Sequence, residues 1–266
     1  MPGLEHAEGP EIARLAVRAV TATRSTIGRS PEVLRAIASR GAVELEGASA
    51  EDLIAWAAQE FGDRVTATQS MVNTALSTLV AAIAPDMTVV FVDTGYHFEE
   101  TLDTLERVRN RTGLNIVSVS SSLSVEEQSE RFGPDLWSRN PDVCCSIRKV
   151  QPLERVLAGH DAWISGLRRG AAGTRRDSRP ITYDAQRRVV KILPLLDWSD
   201  AEVAAFTAKH AVEVSPLISQ GFPSIGCRPC TRAVAPGEDP RAGRWSGFDK
   251  TECGIHSQSG VTPAAT

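Results

Sequence analysis

Residues 65–95 read VTATQSMVNTALSTLVAAIAPDMTVVFVDTG. Two short β-branched runs, at 65–68 and 88–92, enclose a longer stretch of helical composition that begins near Met71. The alternation continues outward, with further β-branched runs at 115–119 and 162–165 and helical stretches from His97, Val125 and Val143. Strands alternating with helices of ten or more residues predict an α/β fold built on a parallel sheet wound on both faces by helices. Such sheets bind ligands beyond the carboxyl ends of their strands. The candidate site therefore lies on the loops starting near Thr68, Asp93, Ser120 and Gly166.

Before this core lies a helical lead-in. Residues 11–20 suit a short amphipathic helix. Ser30 and Pro31 open a better one that Gly41 is expected to end. Ser49 with Asp52 caps another, running to about Phe61. After the core, segment 166–191 carries eight basic residues (Arg168, Arg169, Arg175, Arg176, Arg179, Arg187, Arg188, Lys191) against Asp177 and Asp184. A solvated basic loop is the ordinary explanation, but its place after a strand's carboxyl end favours anion binding. Ser199 caps a further helix, and from Pro216 the chain is rich in Gly, Pro and Ser.

The whole chain has 266 residues, 42% hydrophobic, with a formal charge of −4. That is ordinary for a globular protein, and it speaks against a general nucleic-acid or anionic-membrane partner. No stretch approaches the roughly 20 apolar residues of a membrane span. No secretory signal pattern is read in the first thirty residues, so the expected location is cytoplasmic. Thiols stay reduced there, and the five cysteines are read as ligands or reagents before disulfides.

Cys144 and Cys145 are adjacent, and Cys227 and Cys230 form a CxxC pair. Neighbouring side chains on a helix point about 100° apart, which suits a single tetrahedral ion poorly and a larger 4Fe-4S cubane better. Zinc remains the rival for the CxxC half, and buried inert thiols are the plain alternative. Helical spacing puts Arg148 four residues after Cys144 and Lys149 four after Cys145, where both cations would face a negative cluster. Cys253 has no partner among the ligands. Lys250 and His256 flank it, close enough to lower its thiol pKa.

Four stretches carry a resemblance: FVDTGYHFEET from Phe91, RNPDVCCSIRKVQPL from Arg139, GFPSIGCRPCT from Gly221 and DPRAGRWSGFDKTECGIH from Asp239. From about residue 34 to 256 the chain resembles the assimilatory sulfonucleotide reductases, and among them the iron-sulfur-containing adenylyl-sulfate (APS) reductases. The resemblance implies an adenine-nucleotide α-hydrolase-like fold, related to the ATP pyrophosphatases, with a mobile C-terminal tail. The chain would divide into an N-terminal extension (1–33), a sulfonucleotide-binding domain (34–215) and a CxxC loop with catalytic tail (216–266).

By the same resemblance, Cys144, Cys145, Cys227 and Cys230 hold one 4Fe-4S cluster, and Cys253 is the nucleophile that becomes an S-sulfocysteine. Lys149, Arg241, Arg244 and His256 would surround the sulfate and phosphate, with Arg168 joining them. Asp93, Thr94 and Gly95 would line the adenosine site. The implied partners are adenosine 5′-phosphosulfate and a thioredoxin or glutaredoxin-like dithiol donor, and the implied pathway is assimilatory sulfate reduction toward cysteine. A homo-oligomer stays open.

The first strand-to-helix loop departs from the family pattern. It has no glycine, and Asn73 stands where an acid is common. Thr68 and Ser70, at a helix start, are expected to hold a single phosphate. The 3′-phosphorylated substrate PAPS would need one more cation near the ribose. An iron-sulfur tRNA-thiolating enzyme of the same fold would need an intact pyrophosphate loop and a basic RNA surface.

Overall fold

The computed structural model describes residues 28–256. The helix expected at 11–20 lies outside them. Ser30 accepts a hydrogen bond from Val33 N and Pro31 opens α1 (Pro31–Glu44). Gly41 does not end this helix. It is buried within it, because Trp56 of α2 (Ala50–Phe61) crosses so closely that a Cβ there would lie 2.7 Å from a ring carbon. The glycine marks a helix crossing. Ser49 and Asp52 form a reciprocal capping box on α2.

The four expected strands are present as β1 (Val65–Thr68), β2 (Val89–Asp93), β3 (Ile116–Ser120) and β4 (Ala162–Ser165). Between them run α3 (Ala75–Ile83), α4 (Glu99–Thr112), α5 (Val125–Phe132), the short α6 (Leu136–Arg139) and α7 (Pro141–Cys145), then α8 (Gln151–Leu157). Every residue of β4, and all of β1 but Thr68, is buried, as a parallel sheet covered on both faces requires.

Segment 166–191 is not simply a basic loop. It contains β5 (Ile181–Asp184), which pairs antiparallel with β6 (Val189–Ile192). The sheet order is β3-β2-β1-β4-β6-β5, with β6 parallel to β4. Two of the segment's cations, Arg187 and Lys191, are buried by this hairpin. After it, α9 (Asp200–His210) begins with a capping box between Ser199 and Glu202.

The first loop also differs from expectation, since α3 starts at Ala75 and not near Met71. Met71 is fully buried with φ +59, a left-handed conformation that breaks any helical turn there. The loop bonds instead to residues beyond α9: Thr74 N donates to Glu213 O, and Ser215 N to Val72 O. Thr68 and Ser70 thus lie ahead of the helix. No helix among the described residues is long and apolar enough to cross a membrane.

Replacing Gly41 with Ala tests the crossing. The added methyl gains about 1 kcal/mol of helix propensity, but overpacking typically costs about 1–3 kcal/mol. A net loss of stability is expected in urea unfolding, and a stabilised Gly41→Ala variant would contradict the close approach.

Candidate active site

The carboxyl ends of β1, β2 and β4 open into a cavity of about 360 Å³. Thr68 and Ser70 line it from the first loop and Thr94 from the second. Five cations line it too: Lys149, Arg168, Arg175, Arg241 and Arg244. Glu252 is the one carboxylate in that lining. In a chain of net charge −4 this local excess marks an anion site.

A second, much smaller cavity lies beside it, lined by Cys144, Cys145, Cys227 and Cys230 with Tyr96, Trp137 and Pro141. The adjacent pair reaches it at the end of α7, where the helix widens into a π segment, Ser146–Val150. Pro152 explains the widening: it has no N–H, and its ring would collide with the carbonyl four residues back in a regular helix. Burial, reinforced by the neighbouring sulfurs, pushes the Cys144 thiol up to about 11 and the Cys230 thiol up to about 12. Burial raises Cys145 as well. As thiolates these groups need a compensating metal charge. No group of three or more Cys, His, Asp or Glu among the described residues is arranged to hold one metal ion. Four sulfurs around one cavity, with no single-ion arrangement among the described residues, fit a wider iron-sulfur centre.

Lys149 lines both cavities. Burial alone would discharge it, but the sulfurs of Cys227, Cys145 and Cys253 outweigh that and raise its pKa. Arg148, its expected companion, lines only the thiol cavity. It donates from Nε to Gln128 Oε1 at 2.8 Å, from Nη1 to Leu123 O at 2.9 Å and from Nη2 to Ser124 O. Arg148 braces the loop before α5 and does not reach the anion cavity.

Glu252, Cys253, Ile255 and His256 line the cavity from beyond the CxxC loop. Cys253 is half-buried and lines the cavity. Arg187 Nη2 donates to Gly254 O at 3.3 Å. His256 stacks on Trp163, with ring centroids 5.3 Å apart and planes within 4°. Trp163 Nε1 in turn donates to Thr68 Oγ1 at 2.9 Å.

Burial, then the charges of Lys191, Arg175, Arg187 and Arg241, hold the His256 pKa well below its ordinary value. Burial and the neighbouring cations thus favour the neutral imidazole over the cation that its flanking position suggested. Lys250 is likewise engaged elsewhere, paired with Asp142 and seated over the Trp245 ring.

Arg244 donates to Ser224 Oγ and to Ile225 O, both at 3.2 Å, and lies over the Trp245 ring. Gly226 makes room for it, because a Cβ there would sit 2.3 Å from Nη2. Arg241 Nε, Arg244 Nε and His256 Nδ1 are buried without a partner among the described residues. Nitrogens so placed around one cavity suit an anionic ligand. Arg168 lines the cavity while pairing with Asp200 at 2.7 Å.

Asp93 and Gly95 do not line the cavity. Asp93 Oδ1 accepts from Gly95 N at 2.9 Å, and Gly95 takes φ +70, so the pair makes the turn that presents Thr94. Asn73 is structural too: its Oδ1 accepts from Ala75 N and its Nδ2 donates to Thr207 Oγ1. Glu252 and Trp163 were not singled out by sequence, and Arg175 only as one of the eight cations of 166–191. Their roles arise from pairings across 77 and 95 residues of chain.

Lys191 provides a pH test of this region. Its Nζ lies 5.1 Å from the Trp163 centroid. Burial lowers its pKa to about 8, with Asp184 opposing and Arg187 and Arg175 assisting. The folded state therefore releases this proton before the unfolded chain does. Stability rises with pH between about 8 and the unfolded value near 10.5, and the full penalty stands below that window. Lys191→Met should be stabilising at pH 7, by an advantage that shrinks by roughly 3 kcal/mol toward pH 10.5 in urea titrations. A pH-independent difference would contradict a buried, strained ammonium.

The profile of the phosphoadenosine phosphosulfate reductase domain matches residues 66–233. A protein from Streptomyces coelicolor named adenosine 5′-phosphosulfate reductase is 45% identical over 86% of this chain and 97% of its own length. One of the same name from Mycobacterium tuberculosis is 41% identical over 84% of this chain and 95% of its own. Among solved structures, the phosphoadenylyl-sulfate reductase of Candida auris, crystallised as a phosphate complex, superposes with a TM-score of 0.66. It is 25% identical, over 78% of this chain and all of that one. The sheet therefore has the adenine-nucleotide α-hydrolase-like form, and the chain belongs to the phosphoadenosine phosphosulfate reductase family.

Proposed function

We propose that this chain reduces adenosine 5′-phosphosulfate to sulfite and AMP through a covalent intermediate on Cys253. The supporting observation is the partition of sulfur. Of the five cysteines, Cys253 alone lines the cation-rich cavity, while the other four line its neighbour. The names of the relatives point to the same substrate class.

The sulfur of the substrate is electrophilic but screened by anionic oxygens. Lys149, Arg241 and Arg244 neutralise those oxygens and let a thiolate approach. Cys253 Sγ bonds to sulfur, the bond from sulfur to the phosphate oxygen breaks, and its electron pair leaves on AMP. Thr68, Ser70 and Thr94 hold the nucleotide at the strand ends. His256, held toward its neutral form, contributes a hydrogen bond through Nδ1, which has no partner among the described residues, and little charge.

A thiolate of a thioredoxin or glutaredoxin-like dithiol then attacks Cys253 Sγ and expels sulfite. Its second thiol resolves the mixed disulfide and frees Cys253. The dithiol supplies both electrons. The tail carrying Cys253 leaves the cavity for this step, and the sulfite serves cysteine biosynthesis in the cytoplasm.

Cys144, Cys145, Cys227 and Cys230 hold a 4Fe-4S cluster. When bound, it supplies fixed charge beside Lys149 and ties α7 to the CxxC loop. Arg168 and Arg175 are already paired with Asp200 and Glu252, which favours the substrate lacking a 3′-phosphate.

The decisive experiment is intact mass after incubation with the nucleotide. A sulfonate-sized adduct on Cys253, removed by thioredoxin, is expected. Cys253→Ser should lose the adduct and all turnover yet keep its brown colour and iron. Cys227→Ser should lose iron. A colourless wild-type protein without adduct would overturn the proposal, and a strong kinetic preference for PAPS would move the substrate assignment.

A further inference from the structure

Glu252 is out of place in an anion site. Its carboxylate lies among cations that the proposed function assigns to a substrate of the same charge sign, so it opposes binding by Coulomb repulsion. A side chain that weakens binding and is nevertheless built into the lining requires another explanation. Its contacts supply one.

Oε1 accepts from Arg175 Nε at 2.7 Å and Oε2 from Arg175 Nη2 at 3.0 Å, a bidentate pair. Thr174 Oγ1 donates to Oε1 at 3.2 Å, and Arg241 Nη2 to Oε2 at 3.3 Å. Both ends of the Arg175 pair are mostly buried, with side-chain exposures of 14% and 18%. Forked charge-assisted bonds of this kind fix geometry as well as charge. Arg241 Nη2 also donates to Thr251 O, so the residues immediately before Cys253 are held twice.

We propose that Glu252 is a positioning residue: anchored on Arg175 and Arg241, it sets how deeply Cys253 enters the cavity. It touches no reacting atom. Because Arg241 is shared between Glu252 and the proposed anion pocket, the anchor registers the nucleophile on the cations themselves. Seating of the tail and seating of the anion then refer to one guanidinium. This inference rests on the proposed role of Cys253, but its central test does not need the substrate.

The test is site-resolved alkylation of the iron-loaded, full-length protein by iodoacetamide without nucleotide, read by peptide mass. Glu252→Gln keeps the shape and removes the charge. Cys253 should be alkylated about ten-fold faster in that variant, because the tail spends more time out of the cavity. Arg175→Gln should give a similar acceleration, and the double variant should be no faster than either single one.

With the substrate added, single-turnover adduct formation in Glu252→Gln should fall about ten-fold while AMP binds as tightly as before or more tightly. Glu252→Asp should recover part of the alkylation protection. Wild-type alkylation rates in both Gln variants, or additive acceleration in the double variant, would overturn the proposal, as would a parallel loss of AMP binding and adduct formation. If wild-type protein forms no adduct at all, the functional reading fails, while the alkylation rates still judge the anchor.

Discussion

A positive charge buried between two cavities is the constraint on which the site depends. Lys149 is almost wholly removed from water, and an ammonium so placed persists only with compensating negative charge close by. The sulfurs of Cys227, Cys145 and Cys253 supply it when ionised. Two of these belong to the thiol cavity and the third to the docked tail, so one side chain makes the state of each cavity felt in the other. Removing either source of negative charge leaves the lysine only partly compensated.

Much of the surrounding architecture serves to bring these groups together. The parallel strands deliver the loops after β1, β2 and β4 to one edge. The antiparallel β5 and β6 extend the sheet and place Arg187 and Lys191 against Trp163, on which His256 stacks. The CxxC loop is tied back to the second strand's loop, since Arg228 N donates to Tyr96 O at 2.7 Å and Cys227 Sγ to Thr94 Oγ1 at 3.4 Å. The thiol cavity and the anion cavity therefore share a wall.

The sequence was most informative where local chemistry decides structure. Strand composition located β1 to β4, and the caps expected at Ser49 and Ser199 form capping boxes with Asp52 and Glu202. The cysteine spacing separated four thiols from a fifth. It was least informative where distant packing decides. Gly41 resembles a helix stop unless Trp56 is known to lie against it, and the charges of 166–191 hide a hairpin whose cations fold inward. Equal spacing from the two cysteines could not distinguish Arg148 from Lys149, because the π segment changes the turn between them. The setting of His256 was equally invisible, since nothing local in the sequence reveals its stacking on Trp163.

The π segment has an evolutionary consequence. A wide turn amounts to one extra residue in a helix, and it survives only while the chain length on either side stays fixed. Loss of any residue between Cys145 and Gln151 would remove the residue the wide turn accommodates while Pro152 still forbids a regular one, and what precedes it would shift relative to α8. Lys149 and the paired thiols would then face different neighbours. The length of this run is therefore as constrained as the identities of Arg148 and Lys149 within it, and indels should be purged there.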